Sequence, residues 1–478
     1  MSTERFDRTF VALGSFAAVV CGTLLIREHG IRAITDRFTP DPNTEADTAP
    51  PPIGGPSFVR APEPQDEALD EAPPLPPKPV FGGGSAGVNV PKPKQPIEDT
   101  CVDPLGATTG CKRFAMDGLY AELAATEAGT AKVPTRVSYY GDSVSATDQI
   151  PGRVRRRLQD VFGDGGPGFV FAASPHRFNH NLAVDQIDRG WNAYGVSTVN
   201  IADGMYGPGG STAEAHGDGT IKITPKTPSG KVAHVDVYYL SQPKGGTADV
   251  LVDGQVKTSL DTAADDKKAG WSAIDLDDAA HKVEVKVTKG KVRLFGLTLE
   301  RAPGVVVDNM AIISATAKNE GLNEPTHWKE QLAHRGADLV ILMLGTNEAE
   351  WLSPGQRSMA DYQQVWESLL APIRAARPNA ACLVVSPLDQ AEVKDDDTLA
   401  SRPVMPHMIE AQRRAAKAQG CAFYDTYTWQ GGKGAAIKWN RRGLVGSDFQ
   451  HLSEKGTAMV ADGLTDAILA GYAEYKSR

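Results

Sequence analysis

Residues 133–162 read VPTRVSYYGDSVSATDQIPGRVRRRLQDVF, and this stretch decides the fold. Val133 to Tyr140 is rich in β-branched and aromatic residues and stops at Gly141, as a buried strand does. From Ile150 the period changes. Ile150, Val154, Leu158 and Phe162 recur at helical spacing, with arginines filling the other face. A strand, a tight Gly141-Asp142-Ser143 turn and then a helix form the order that lifts a serine hydroxyl above the carboxyl edge of a parallel sheet.

Outward from this unit the alternation repeats. VVVDNMAII (305–313), ADLVILML (337–344), ACLVVSP (381–387) and CAFYDTY (421–427) are apolar, strand-like runs with helical stretches between them. The pattern predicts an α/β domain with a doubly wound parallel sheet and functional loops at the strand carboxyl ends. Between Pro208 and Arg301 the period drops to two, in Val235, Val237 and Tyr239, in DVLVDGQVKT (249–258), in Val283, Val285 and Val287, and in VRLFGLTLE (292–300). Asp253-Gly254 is a hairpin signal and Lys289-Gly290 a further turn. These residues predict a β-sandwich inserted at 208–301, which leaves the α/β domain discontinuous, as 100–207 and 302–478.

Two segments precede the domain. Phe10 to Ile26 is a charge-free apolar run within an anchor region, 1–38. It is at the short end of the about 20 residues a span requires, and no clear small-x-small site favours cleavage over retention. The expectation is a single N-terminal membrane anchor, although the flanking arginines do not fix its orientation. Residues 39–99 follow as a Pro-rich linker, with 16 prolines between Pro40 and Pro96. Such a composition cannot bury enough surface to fold, and its 57 residues could reach on the order of 180 Å if extended. The chain carries a net charge of −9 and no strong basic cluster, which argues against nucleic-acid binding. Cys101 and Cys111 could close a small loop, and Cys382 and Cys421 begin two strand-like runs that could be neighbours. Four cysteines outside the apolar run, with no C-x-x-C pair, fit an oxidising compartment better than a zinc site.

Three short blocks carry chemistry. Gly141-Asp142-Ser143 supplies a hydroxyl, and Gly345-Thr346-Asn347-Glu348 follows the strand LVILML and supplies a side-chain amide. Asp448-Phe449-Gln450-His451 supplies a histidine with an aspartate three residues before it. Each alone is cheap, since turns are rich in Gly, Asp and Ser and Asp448 could be a helix cap. Together they hold the parts needed to attack an ester, stabilise the oxyanion and move a proton.

In these blocks the chain resembles the SGNH (GDSL-type) hydrolases over about residues 112–475. The resemblance extends to FGDGGPGF (162–169) and to GCAFYD (420–425) ahead of Gly431-Gly432. A β-rich module between the first and second blocks is similar to the peptidoglycan O-acetylesterase branch, where the insert resembles carbohydrate-binding modules. The resemblance implies Ser143 as nucleophile and, through its N–H, an oxyanion donor, Asn347 as another donor, and His451 as general base oriented by Asp448. It also implies a glycine in the second block. Here Ser314 stands at that place, still able to offer its N–H but with a Cβ that could crowd the pocket. The implied activity is removal of O-acetyl groups from a carbohydrate polymer such as peptidoglycan, outside the cytoplasm, with no metal or organic cofactor. An O-acetyltransferase using the same serine and a non-enzymatic glycan-binding protein are the alternatives.

Other features read as structural. The G-x-G-x-x-G spacing at 163–168 follows a helix rather than a strand, so it is a turn. His176 and His180 lack a third ligand, and His281 reads as a packing or turn residue. Trp271, Tyr238 and Tyr239 could stack on sugars but could equally be core.

Overall fold

A computed structural model describes residues 71–81, 89–103, 110–226, 228–352 and 358–478. All of the described residues belong to one compact unit. The expected anchor at 10–26 and the linker up to residue 70 lie outside the described residues.

Five strands form the parallel sheet: β1 (Thr135–Gly141), β2 (Val305–Asn309), β3 (Leu339–Met343), β4 (Ala381–Val385) and β5 (Ala422–Tyr424). Their spatial order is β2-β1-β3-β4-β5, so the winding reverses between β1 and β3. In such sheets the crevice at that switch point, beyond the strand carboxyl ends, is where ligands bind. Each strand is apolar on both faces because helices cover both. Val137, Tyr139, Leu339, Ile341 and Leu383 face the helices Asp117–Glu127, Gln149–Phe162 and Glu454–Ser477. Tyr140, Val340, Leu342, Val384 and Phe423 face Pro325–Arg335, Met359–Ala376 and Met405–Ala418.

The antiparallel sheet is larger than the sequence suggests. It has nine strands and begins upstream of residue 208, because Gly168–Phe171 and Val184–Gly195 join it. The long strand Ser211–Pro225 runs through both halves of this sheet. It pairs with Lys291–Glu300 through residues 213–216 and with Val283–Lys289 through residues 220–223. Gly217, at φ +80°, lies between the two pairings, and Gly290 is where the chain passes from one half to the other. Side chains from both halves, including Val235, Val237, Val250, Val285 and Leu297, enclose one core. The Asp253-Gly254 turn forms as read, with φ of +53° and +79°. His281 braces it by hydrogen bonding Asp253 at 2.7 Å.

Buried charge ties this sheet to the α/β domain. Arg335 bonds Asp308 on β2 at 2.7 and 2.8 Å, and Glu300, at the end of the antiparallel sheet, at 2.7 Å. Burial pushes the Glu300 carboxyl up, but Arg335 and Arg136 overcome it and hold the group at about 2. Tyr238 is buried, and Trp271 stacks on His334 at 4.1 Å, so both belong to this junction rather than to a sugar platform. Tyr239 packs against the core of the antiparallel sheet.

Part of the stretch read as linker is bound to the domain. Proline lacks an N–H but keeps an accepting carbonyl, and Arg153 donates to Pro73 O at 2.7 Å and Pro74 O at 3.0 Å. Phe81 meets Tyr472 edge-on at 4.9 Å. Glu98 exchanges backbone hydrogen bonds with Phe423 at 2.8 and 3.0 Å, extending the edge of β5. Cys101 is bonded to Cys111, and Cys382 to Cys421 across the β4–β5 pair.

Candidate active site

Two loops leave the sheet at the switch point. β1 ends at Gly141, and Asp142 caps the short helix Ser143–Ala146 by accepting the Val144 N–H at 3.1 Å. The first N–H of a helix has no partner within it, and the Ser143 N–H makes no hydrogen bond among the described residues. β3 leaves through Leu344 and Gly345. At φ +128° Gly345 takes a conformation open to glycine, and an added Cβ would come within 2.9 Å of Pro387 and Gln412. Asn347 then stands in the first turn of the helix Thr346–Leu352. Its amide nitrogen donates one hydrogen to Ala315 O at 2.9 Å, which fixes the plane of the amide. An amide NH2 has a second hydrogen to give.

His451 arrives from the loop before the C-terminal helix. Its Nε2 lies 2.8 Å from Ser143 Oγ and its Nδ1 lies 2.6 Å from Asp448 Oδ2. An ionised carboxylate only accepts, so Nδ1–H donates to Asp448 and the bare Nε2 accepts from the serine hydroxyl. Asp448 is held in turn by the Gln450 and His451 N–H groups, both at 3.0 Å from Oδ1. Partial burial raises the Asp448 carboxyl, yet the bonds from His451 and these N–H groups bring it down to about 2. The hydrogen bond to Asp448 raises the His451 imidazole above its usual value of 6.5, against the opposing effect of burial.

Ser314, where the resemblance implies a glycine, has a backbone conformation that glycine favours. It sits at φ +62°, in a turn closed by the Ala315 N–H donating to Ile312 O at 3.1 Å. That left-handed conformation is one glycine adopts without cost and an L-residue adopts at about 1–2 kcal/mol. The Ser314 side chain is exposed, and its N–H makes no hydrogen bond among the described residues. Its neighbour Ala315 is the residue that holds Asn347.

Sequence reasoning missed three supporting groups. Asp142 is almost fully buried and accepts the Thr346 N–H at 3.3 Å, so one carboxylate joins the serine turn to the asparagine turn. Glu348 is buried beside them, takes the Ala317 N–H at 2.9 Å, and is pushed up to about 7 by desolvation. Asn309 donates to Ala146 O at 3.3 Å and His180 O at 3.1 Å, pinning the loop that carries His180 beside the serine helix. The motif blocks contain Asp142 and Glu348, but local spacing does not distinguish such braces from ordinary helix caps. His176, the other half of the rejected metal pair, accepts the Phe178 N–H at 3.3 Å.

Residues 285–459 match the family model of GDSL-like lipases and acylhydrolases. This span holds Ser314, Asn347, Asp448 and His451 but begins after Ser143. Among solved structures, a peptidoglycan O-acetylesterase superposes with a TM-score of 0.62 at 24% identity, over 75% of this chain and 96% of that one. A carbohydrate esterase family 2 enzyme with a carbohydrate-binding domain, from Corynascus thermopiles (Myceliophthora fergusii), reaches a TM-score of 0.27 at 14% identity, over 58% and 99% of the two chains. A salicylyl-acyltransferase from a tetracycline biosynthetic pathway reaches 0.26 at 15% identity, over 63% and 94%. Scores that low carry no weight for architecture, whereas the first superposition establishes a shared fold. No curated protein sequence matches the chain. Residues 285–459 are thus similar to the GDSL-like lipases and acylhydrolases, and the chain shares its fold with a peptidoglycan O-acetylesterase.

Proposed function

We propose that the protein is a serine esterase that removes O-acetyl groups from peptidoglycan through an acetyl-enzyme. The observation that carries this reading is the continuous relay Ser143–His451–Asp448 at the switch point of the sheet. The fold shared with a peptidoglycan O-acetylesterase supports the choice of polymer.

Ser143 Oγ attacks the acetyl carbonyl as its proton passes to His451 Nε2, and Asp448 stabilises the imidazolium. The oxyanion is met by the Ser143 N–H, the Ser314 N–H and the free hydrogen of the Asn347 amide. Each such donor contributes about 2.7–4 kcal/mol of transition-state stabilisation. The sugar hydroxyl leaves with the proton from His451. Water, deprotonated by the same imidazole, then releases acetate. The reading places the domain outside the cytoplasm, tethered through the apolar run at 10–26. The two disulfides support that placement, because such bonds persist in oxidising compartments.

The test is acetate release by the full chain from 4-nitrophenyl acetate and from O-acetylated peptidoglycan, for the wild type and for Ser143→Ala. Release from both substrates that is lost in the variant is the expected result. A folded wild type that releases no acetate from the polymer, or a variant that retains release, contradicts the proposal. Acetyl transfer to an added sugar faster than to water would make the protein a transferase instead.

A further inference from the structure

The helix Gln149–Phe162 carries four arginines within five positions, at 153 and 155–157. Three of them are compensated. Arg153 meets Asp462 at 2.8 Å, Arg155 meets Asp148 at 2.5 Å, and Arg157 meets Asp466 at 2.8 Å. Arg156 is half-buried, yet it has no ion pair and no hydrogen bond among the described residues. Burial disfavours its charge, as do the neighbouring guanidiniums of Arg155 and Arg153, with Asp148 and Asp462 opposing them from a distance without a direct bond. A partly desolvated charge with no partner is costly, and such groups gather where a ligand completes them.

Arg156 lines a cavity of ≈ 470 Å³, within the size range that holds a small ligand or sugar unit. Thr147, Gln149, His180, Glu454 and Thr457 line it as well. Ser143 and His451 do not line this cavity, but residues close to each of them in the chain do. Thr147 ends the short helix that Ser143 begins, about 6 Å along the axis. Glu454 lies three residues after His451. The His180 N–H donates to Ala146 O at 3.0 Å, which holds that wall against the serine helix. Glu454, the acidic residue of the lining, accepts from Gln149 at 3.4 Å and is not paired with Arg156. Gln149 is fixed on its other side by Thr457, whose hydroxyl donates at 3.0 Å.

We propose that this cavity is a substrate subsite in which Arg156 binds a carboxylate borne by the acylated glycan, beside the ester that Ser143 attacks. The proposal rests on the esterase reading and names which esters the enzyme selects. A guanidinium takes a carboxylate through two parallel N–H bonds, so it fixes orientation as well as charge. Acetyl esters flanked by a carboxylate are then bound in register with Ser143. An uncharged aryl acetate needs only the relay and the oxyanion donors, and does not sense Arg156.

The experiment uses the full chain as wild type, Arg156→Gln and Arg156→Lys. The substrates are 4-nitrophenyl acetate, O-acetylated peptidoglycan, and the same polymer with its carboxyls amidated under conditions that spare the esters. Loss of a charged hydrogen bond should lower kcat/KM of Arg156→Gln on the native polymer by roughly tenfold to 100-fold, through KM. Arg156→Lys should recover part of the loss, and 4-nitrophenyl acetate should be turned over equally by all three. Wild type on the amidated polymer should match Arg156→Gln on the native one. Equal activity of wild type and Arg156→Gln on the native polymer would overturn the subsite, as would equal losses on native and amidated polymer or a gain in the variant. Cosedimentation of Ser143→Ala and Ser143→Ala/Arg156→Gln with both polymers reads the same contrast without turnover. A wild type that fails on 4-nitrophenyl acetate yet binds native polymer through Arg156 would remove the esterase reading and leave the subsite standing.

Discussion

The two sides of the proton relay are built differently. On the serine side the support is buried and long-range. Asp142 joins turns 204 positions apart in sequence, Asn309 and His180 hold Ala146, and Asp148 meets Arg155 inside the domain. On the histidine side the support is local and exposed. The His451 and Asp448 side chains are each 49% accessible, and most of their bonds fall within residues 440–452. Phe449, at φ +58°, is the apolar exception, packed against Ala391 and Ala436. Gln450 adds a bond to Glu350 at 2.6 Å. The fold therefore fixes Ser143, while a short loop brings His451 to it. Damage on one side should cost stability and activity together, and damage on the other should cost activity alone.

The largest effect that would sharpen this contrast is Asp448→Asn. An amide keeps one oxygen for the Gln450 and His451 N–H groups but turns an NH2 toward Nδ1, which selects the wrong imidazole tautomer, so kcat should fall by about 10⁴-fold while the melting temperature barely moves. The pH profile gives a second readout. His451 acts as a base only when neutral, and its raised pKa places the rise of kcat/KM above pH 6.5 in the wild type. Since Asp448 is the largest cause of that elevation, the residual activity of Asp448→Asn should rise at lower pH. A variant that unfolds, or a midpoint that does not move, would break the comparison.

Asp142→Ala should behave in the opposite way. It strands the Val144 and Thr346 N–H groups in a buried site, at a cost of about 1–3 kcal/mol each, so denaturant midpoint and kcat should fall together. Unchanged stability in urea would show that the serine side is not held by this brace. Ser314→Gly is the smallest effect. Removing Cβ at φ +62° should raise stability by about 1 kcal/mol and leave kcat unchanged, because the proposed donor is the N–H. A large loss of kcat would mean that the serine side chain itself takes part.

The sequence carried much of this, and the reasons are local. The strand–turn–helix at 133–162, the Asp253-Gly254 hairpin and the alternating strands each state their structure within a short, continuous stretch. The strand Val184–Gly195 was not legible, because half of its residues are exposed and they show no period of two. Gly168–Phe171 is only four residues long and sits in a stretch that reads as a turn. The docked prolines at 73 and 74 gave no sign because their partner, Arg153, is about 80 positions away. Ser143, Asn347, Asp448 and His451 were named from chemistry that needs those side chains. Asp142 as a brace, and the left-handed backbone of Ser314, depend on tertiary contacts and a dihedral angle that no local pattern reports.

The measurement that bears most directly on the relay is peptide-level mass spectrometry of the full chain, quenched in acid during turnover of 4-nitrophenyl acetate. A single acetyl group on the hydroxyl of Ser143, absent from Ser143→Ala and accumulating more slowly in Asp448→Asn, is the expected result. Steady turnover with an unmodified Ser143, or an acetyl group carried by another residue, would contradict the assignment of the nucleophile.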